Sequence, residues 1–186
     1  CSQSRGLGDV YKRQLLGRSS EDDNLPGKHA GISSLADVGD LALLMSSQAR
    51  SRDGLIGIHH SENKHENIEK LLELNPDFVV HLCHATDEDL EKLKESNISV
   101  VVCPRSNDYF GNRAPLEKMI EIGLDLGFGT DNGMICSVNM LDEIRFIDQN
   151  YSSVGKHKIL EIACFGLNEM FNKDEASRSV SYTHLT

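Results

Sequence analysis

From Ala30 onward the chain repeats one unit: a short apolar run closed by polar residues, then apolar positions at helical spacing. Ala30-Gly31-Ile32 precedes a helix opened by Ser34, with Asp37 as its capping-box partner and Leu41, Leu44 and Met45 on its apolar face. Leu55-Ile56-Gly57-Ile58 precedes Ile68, Leu71 and Leu72. Phe78-Val79-Val80 precedes a capping box at Thr86 and Asp89, then Leu90 and Leu93. The run Ile98 to Val102 precedes Leu116, Met119 and Ile120, with Gly123 as a C-terminal stop. The run Leu124 to Phe128 precedes Met140, Leu141, Ile144 and Ile147, and a last helix is expected from about Lys158 to Phe171. Leu15 to Asn24 is polar and without pattern.

Strand-helix alternation predicts an α/β fold with a parallel sheet and right-handed crossovers. An open doubly wound sheet and part of a TIM (β/α)8 barrel both fit. The polar residues favour the barrel. His59 with Glu62, His81, Arg105 to Asn107, and Asp131 each follow a different strand, and functional groups gathered from the ends of successive strands are the habit of that fold. A doubly wound nucleotide fold wants a glycine-rich phosphate loop after its first strand, and none is present: Gly127 and Gly129 lead into Thr130-Asp131 with no helix opening there.

With 186 residues the chain is long enough to bury a core, and 39% of them are apolar. No apolar run approaches the ~20 residues of a membrane span, and the N-terminus has no secretory pattern. The formal net charge of −10 argues against nucleic acid as a partner. Cys1, Cys83, Cys103, Cys136 and Cys164 have neither zinc-ribbon nor paired spacing, so they read as reduced thiols of a cytoplasmic protein. Cys83, Cys103, Cys136 and Cys164 are expected to be buried small apolar residues.

The two ends are related in an unusual way. Val180-Ser181-Tyr182-Thr183-His184-Leu185 can be written GTC TCT TAT ACA CAT CT. Its reverse complement, read one base in, encodes Asp-Val-Tyr-Lys-Arg, which is the stretch Asp9 to Arg13. The pair resembles the translation of a transposon-end sequencing adaptor. Residues 1–14 and 180–186 are therefore expected to be non-native, and 15–179 to be the genuine partial barrel.

His59 and Glu62 lie in His59-His60-Ser61-Glu62. A neutral imidazole suits zinc and a nearby carboxylate can carry a proton, but a polar loop after a strand has the same composition. His81 directly follows an apolar strand, where it is either a core histidine bonded to a carbonyl or a site residue; His84 is the alternative. His60 and His65 read as supporting or surface residues. Asp131 either binds a metal and takes a proton from water or caps the next helix. Arg105 can meet an anionic or carbonyl group of a substrate or pair with a carboxylate. Asn107 and Asn132 are further substrate-binding candidates, although Ser106 and Asn107 read more naturally as fixing their loop.

The order His-x-x-Glu, His, Asp, each closing a successive strand, resembles the amidohydrolase superfamily. The wording of three segments is similar to its deaminase and chlorohydrolase branch: His81 to Asp89, Cys103-Pro104-Arg105-Ser106-Asn107, and Gly129-Thr130-Asp131-Asn132. The resemblance runs from about His29 to Phe171. It implies about strands 4 to 8 of the barrel and a metal-dependent hydrolase acting on carbon-nitrogen bonds outside peptides. The favoured reaction is hydrolytic deamination of a purine, pyrimidine or nucleoside-type ring. It implies His59 and Asp131 as metal ligands and Glu62 as the proton carrier to a ring nitrogen. His81 would be a hydrogen-bonding group at the attacking water or tetrahedral centre, and Asp131 the acceptor of the water's proton. The implied cofactor is one divalent metal, zinc with iron as the alternative, because the family's fourth strand here, His29 to Ser33, lacks the lysine that a bridging carbamate needs. The first-strand His-x-His pair has no counterpart, so the segment by itself is expected to be inactive. A cyclic-amide or carbon-halogen hydrolase and a catalytically dead binding paralogue stay open as alternatives. The implied partner is a small-molecule substrate, with no nucleic acid or membrane, and a homo-oligomer stays open for the intact protein.

Overall fold

The structure, a computed structural model, describes residues 16–17 and 28–167, with Leu16, Gly17, Ala36 and Asp37 as backbone only. The adaptor-like segments and the last residues of the final helix lie outside the described residues, as does the Asp37 side chain of the first expected capping box.

Six parallel strands form one sheet: β1 (Leu16–Gly17), β2 (His29–Ile32), β3 (Ile56–His60), β4 (Phe78–His81), β5 (Ser99–Val102) and β6 (Leu126–Phe128). Their spatial order is their chain order. An uninterrupted order of this kind is that of consecutive strands in a (β/α)8 barrel; a doubly wound sheet reverses direction at a switch point. The fold is thus α/β, a partial TIM barrel. Between and after the strands lie α1 (Leu35–Val38), α2 (Leu41–Ser51), α3 (Ile68–Leu72), α4 (Asp87–Glu95), α5 (Pro104–Tyr109), α6 (Leu116–Glu121), α7 (Met140–Asn150) and α8 (Lys156–Phe165).

The core lies between sheet and helices. Ile56, Ile58, Val79, Val100 and Val102 on the strands are closed from water, as are Leu71, Leu90, Leu93, Leu116, Met119 and Ile147 on the helices. Each such side chain contributes roughly 1.5–3 kcal/mol relative to exposure. Helix α4 shows how local chemistry sets the ends. The Thr86 hydroxyl accepts from Asp89 N while the Asp89 carboxylate accepts from Thr86 N, a reciprocal capping box. Asp87, Glu88 and Asp89 fill the first turn and Lys92 and Lys94 the last, matching the helix dipole.

The differences from the sequence pattern have local causes. The first helix is two helices, because Gly39 adopts φ +54° and breaks the run before Asp40. Strands β5 and β6 begin later than their apolar runs, because Ile98 N donates to Leu93 O and Leu124 N to Met119 O, closing the preceding helices. Helix α5, absent from the periodicity, starts on Pro104, whose fixed φ suits a first helical position. The sheet also holds one more strand than expected: Leu16–Gly17 pairs with His29–Ala30.

Candidate active site

Strand alternation puts neighbouring side chains on opposite faces, so His59 and His60 part company at the end of β3. His60 turns into the packed layer, is buried, and bonds Ser61 Oγ through Nδ1 at 3.0 Å. Burial holds its imidazole below the usual histidine range. Ser61 takes φ +49° and ends the strand. Its N–H donates to Glu66 Oε2 at 2.8 Å, and Glu66 N donates back to Ser61 Oγ at 3.1 Å. This clamp closes the loop that carries Glu62.

At the end of β4, His81 and Leu82 both adopt left-handed backbone, φ +78° and +55°. Non-glycine residues rarely do so, and such strain gathers at functional sites. The buried His81 ring lies with Nε2 3.2 Å from His59 Nδ1 and 3.8 Å from Glu62 Oε2. Its Nδ1 is 2.8 Å from Asn107 Oδ1. One donor atom each from His59, Glu62 and His81 lies within 4.8 Å of the others. Two imidazoles and a carboxylate brought this close are borderline-hard donors of the kind that suit a divalent first-row ion. The residues present therefore fit a divalent metal. His84 is exposed and bonds Asn112 instead, so of the two candidates it is His81 that meets His59.

Asp131 is outside this group. It follows β6 at φ +54° and accepts from Ser106 Oγ at 2.5 Å. It does not cap the next helix; Asn139 does, through Leu141 N. The Asn132 side chain folds back on its own turn and accepts from Met134 N. Arg105 reaches Ser137, 3.3 Å from its carbonyl, and lies 3.8 Å from Glu143 Oε2, so the structure shows its carboxylate pair. Asn107 is fully buried, with Nδ2 lacking a hydrogen-bond partner among the described residues. Of the cysteines, Cys103 and Cys136 are buried as expected and Cys83 is half-buried. Cys164 is exposed, which corrects the expectation for it: it lies at the end of α8, beyond the helix's buried Ile159 and Ile162. Burial, joined by the Glu62 charge, pushes the Cys83 thiol up to about 12, so it is no nucleophile at neutral pH.

The residue that sequence reasoning missed is Glu143 on α7. Its side chain is closed from water, Oε1 accepts from Arg105 N at 2.8 Å, and Oε2 has no hydrogen-bond partner among the described residues. Burial raises its pKa against the pull of the Arg105 contacts. No periodic signal separates it from exposed acids on the same helix. At the opposite end of the strands a cavity of about 530 Å³ is lined by Arg50, Asp77, Ser99 and Asp125 among others. There Arg50 pairs with Asp77 at 2.8 Å and Ser99 donates to Asp125 at 2.6 Å, so the cavity is a braced floor remote from the histidines.

The sequence profile of the Amidohydrolase family matches residues 40–165, more than half of the chain. An uncharacterized protein of Methanocaldococcus jannaschii is 37% identical over 124 residues, covering 59% of this chain and 33% of that protein. A 5-methylthioadenosine/S-adenosylhomocysteine deaminase of Caldanaerobacter subterraneus is 36% identical over 108 residues, 49% of this chain and 25% of that one. The chain thus spans between a quarter and a third of the length of these relatives. Among solved structures, an adenosine deaminase from Xanthomonas campestris with bound zinc superposes with a TM-score of 0.60 at 19% identity, over 81% of this chain and 37% of that one. An atrazine chlorohydrolase from Arthrobacter aurescens complexed with zinc gives 0.62 at 18%, over 76% and 37%.

Proposed function

Because the chain belongs to the Amidohydrolase family, we propose that it carries half of the active site of a hydrolytic deaminase acting on an aminated heterocycle of purine, pyrimidine or nucleoside type. The observation that carries this reading is the convergence of His59, Glu62 and His81 from the ends of two adjacent strands. The relative named as a 5-methylthioadenosine/S-adenosylhomocysteine deaminase supports the substrate class.

His59 would hold a single divalent metal, zinc by preference, with Asp131 and with ligands from outside this segment. When bound, that ion would acidify a water and polarise the carbon it attacks. The chain's own residues do the rest. Asp131 accepts a proton from the water. Glu62, held by the Ser61–Glu66 clamp, delivers a proton to the ring nitrogen beside the attacked carbon. His81, closed from bulk water, orients the attacking oxygen. Water's oxygen forms the new bond to carbon. One water proton reaches the ring nitrogen through Glu62, and the other, taken by Asp131, passes to the amino group, so that the carbon–nitrogen bond breaks, ammonia leaves and both carboxylates return to their starting states. Arg105 and Asn132 are kept as candidates for substrate contact, although in the structure Arg105 pairs with Glu143 and Asn132 accepts from Met134 N.

The test is ammonia release by the full-length protein carrying this segment, across aminated purines, pyrimidines and their nucleosides. Turnover of at least one, falling about 100-fold or more in Glu62→Gln with metal retained, is expected. Release of halide or opening of a cyclic amide, with no ammonia from any aminated ring, would replace this reading.

A further inference from the structure

We infer that Asn107 is a positioning residue that fixes His81 as its Nδ1–H tautomer, so that Nε2 meets the reacting atoms as an acceptor. The inference rests on the deaminase reading for its catalytic meaning, not for its geometry. A neutral imidazole carries one donor and one acceptor nitrogen, and the partner of one decides the role of the other. Asn107 Oδ1 can only accept, and it lies 2.8 Å from His81 Nδ1. The proton therefore sits on Nδ1. The bare Nε2 can accept one hydrogen bond: in the structure from His59 Nδ1 at 3.2 Å, and during the reaction from the attacking water in its place, with Glu62 Oε2 3.8 Å away.

The holder is itself held. Asn107 lies in α5, its N–H donates to Cys103 O at 2.9 Å, and its carbonyl accepts from Asn112 N at 2.8 Å. The turn below is tied to α7 by the bond from Arg105 N to Glu143 Oε1. Two features mark the position as selected for the site. The Asn107 side chain is fully buried, yet Nδ2 has no partner among the described residues, so a purely structural role would be better served by an apolar side chain. And His81 holds φ +78°, a strained backbone that aims its ring at both Asn107 and His59.

The chemical consequence is specific. A bare Nε2 accepts a hydrogen bond from the attacking water and aligns its lone pair for attack. It cannot, while neutral, donate to the oxygen of the tetrahedral centre. The tautomer thus assigns His81 to the water and leaves proton delivery to Glu62.

The experiment uses the full-length protein carrying this segment, labelled with nitrogen-15 in histidine. Long-range proton–nitrogen spectra, recorded with and without zinc, separate the two tautomers. The expected wild-type signature is a protonated Nδ1 and a bare Nε2 for His81. Asn107→Leu should lose that signature and lower kcat about 10–100-fold with KM within about threefold. Asn107→Asp, which keeps an acceptor oxygen in place, should retain the signature and recover most of kcat. A protonated Nε2 in the wild type, an unchanged signature in Asn107→Leu, or Asn107→Asp performing no better than Asn107→Leu overturns the inference. If Asn107→Leu does not fold, the wild-type and Asn107→Asp spectra decide it. A wild type that releases no ammonia contradicts the deaminase reading, and the tautomer is then settled by the spectra alone.

Discussion

Glu143 shows what one buried carboxylate does to the whole. Its charge faces Arg105, Asp131 and Asp142, and burial raises its pKa above the usual carboxylate range. The folded state therefore holds its proton where the unfolded chain has already lost it. Between the ordinary carboxylate value and the raised one, the folded state binds more protons, so its stability falls as pH rises. Glu143→Gln keeps an acceptor for Arg105 N–H and removes the charge. In the full-length protein it should be more stable than wild type at neutral pH, with the gap closing in acid below the ordinary carboxylate range. Urea denaturation at a series of pH values checks this, and a gap independent of pH would refute it. Ser106 offers a second test. Its hydroxyl donates to Asp131 Oδ2, so under the proposed ligand role Ser106→Ala should weaken metal binding about 10–100-fold in a competition titration. Unchanged affinity would separate Asp131 from the metal.

At the scale of elements, strand ends were readable and long-range partners were not. His59, His81 and Asp131 stand where an apolar run stops, so a pattern of apolar and polar positions finds them. The bonds that orient them join residues far apart in sequence: His81 to Asn107, Ser106 to Asp131, Arg105 to Glu143. Nothing local marks a serine or glutamate as one half of such a pair. The same contrast separates the helices. The Thr86–Asp89 box is a four-residue signature and was legible. The break at Gly39 depends on a left-handed turn, and α5 is too short to show a period. Thr86→Ala should cost about 1 kcal/mol by removing the cap, read from a denaturation midpoint; no measurable loss would show that α4 is held by packing alone. Gly54 has a stricter requirement. A methyl there would lie 1.9 Å from Lys28 O, against the backbone that enters β2. Gly54→Ala should therefore destabilise by roughly 1–3 kcal/mol or more, and an unchanged melting temperature would contradict the close approach of these loops.

At the scale of the whole molecule, a (β/α)8 barrel closes on eight strands, whereas the described sheet has six, with β1 and β6 at its edges. Among the described residues both edges of the sheet are unpaired and Leu43, Leu160 and Phe165 are exposed, features that favour association. The 186-residue chain alone should therefore form oligomers or aggregates in size-exclusion chromatography; a clean monomer would contradict this. Independent sequencing reads across both junctions test whether residues 1–14 and 180–186 are adaptor translation, and continuity with the gene would exclude it. The site itself is tested most directly by metal content. The full-length protein carrying this segment should bind about one divalent ion per chain, and His59→Ala and Asp131→Ala should each lower affinity for it at least tenfold. Full occupancy in both variants, measured by elemental analysis after dialysis against a chelator, would show that these residues do not hold the metal.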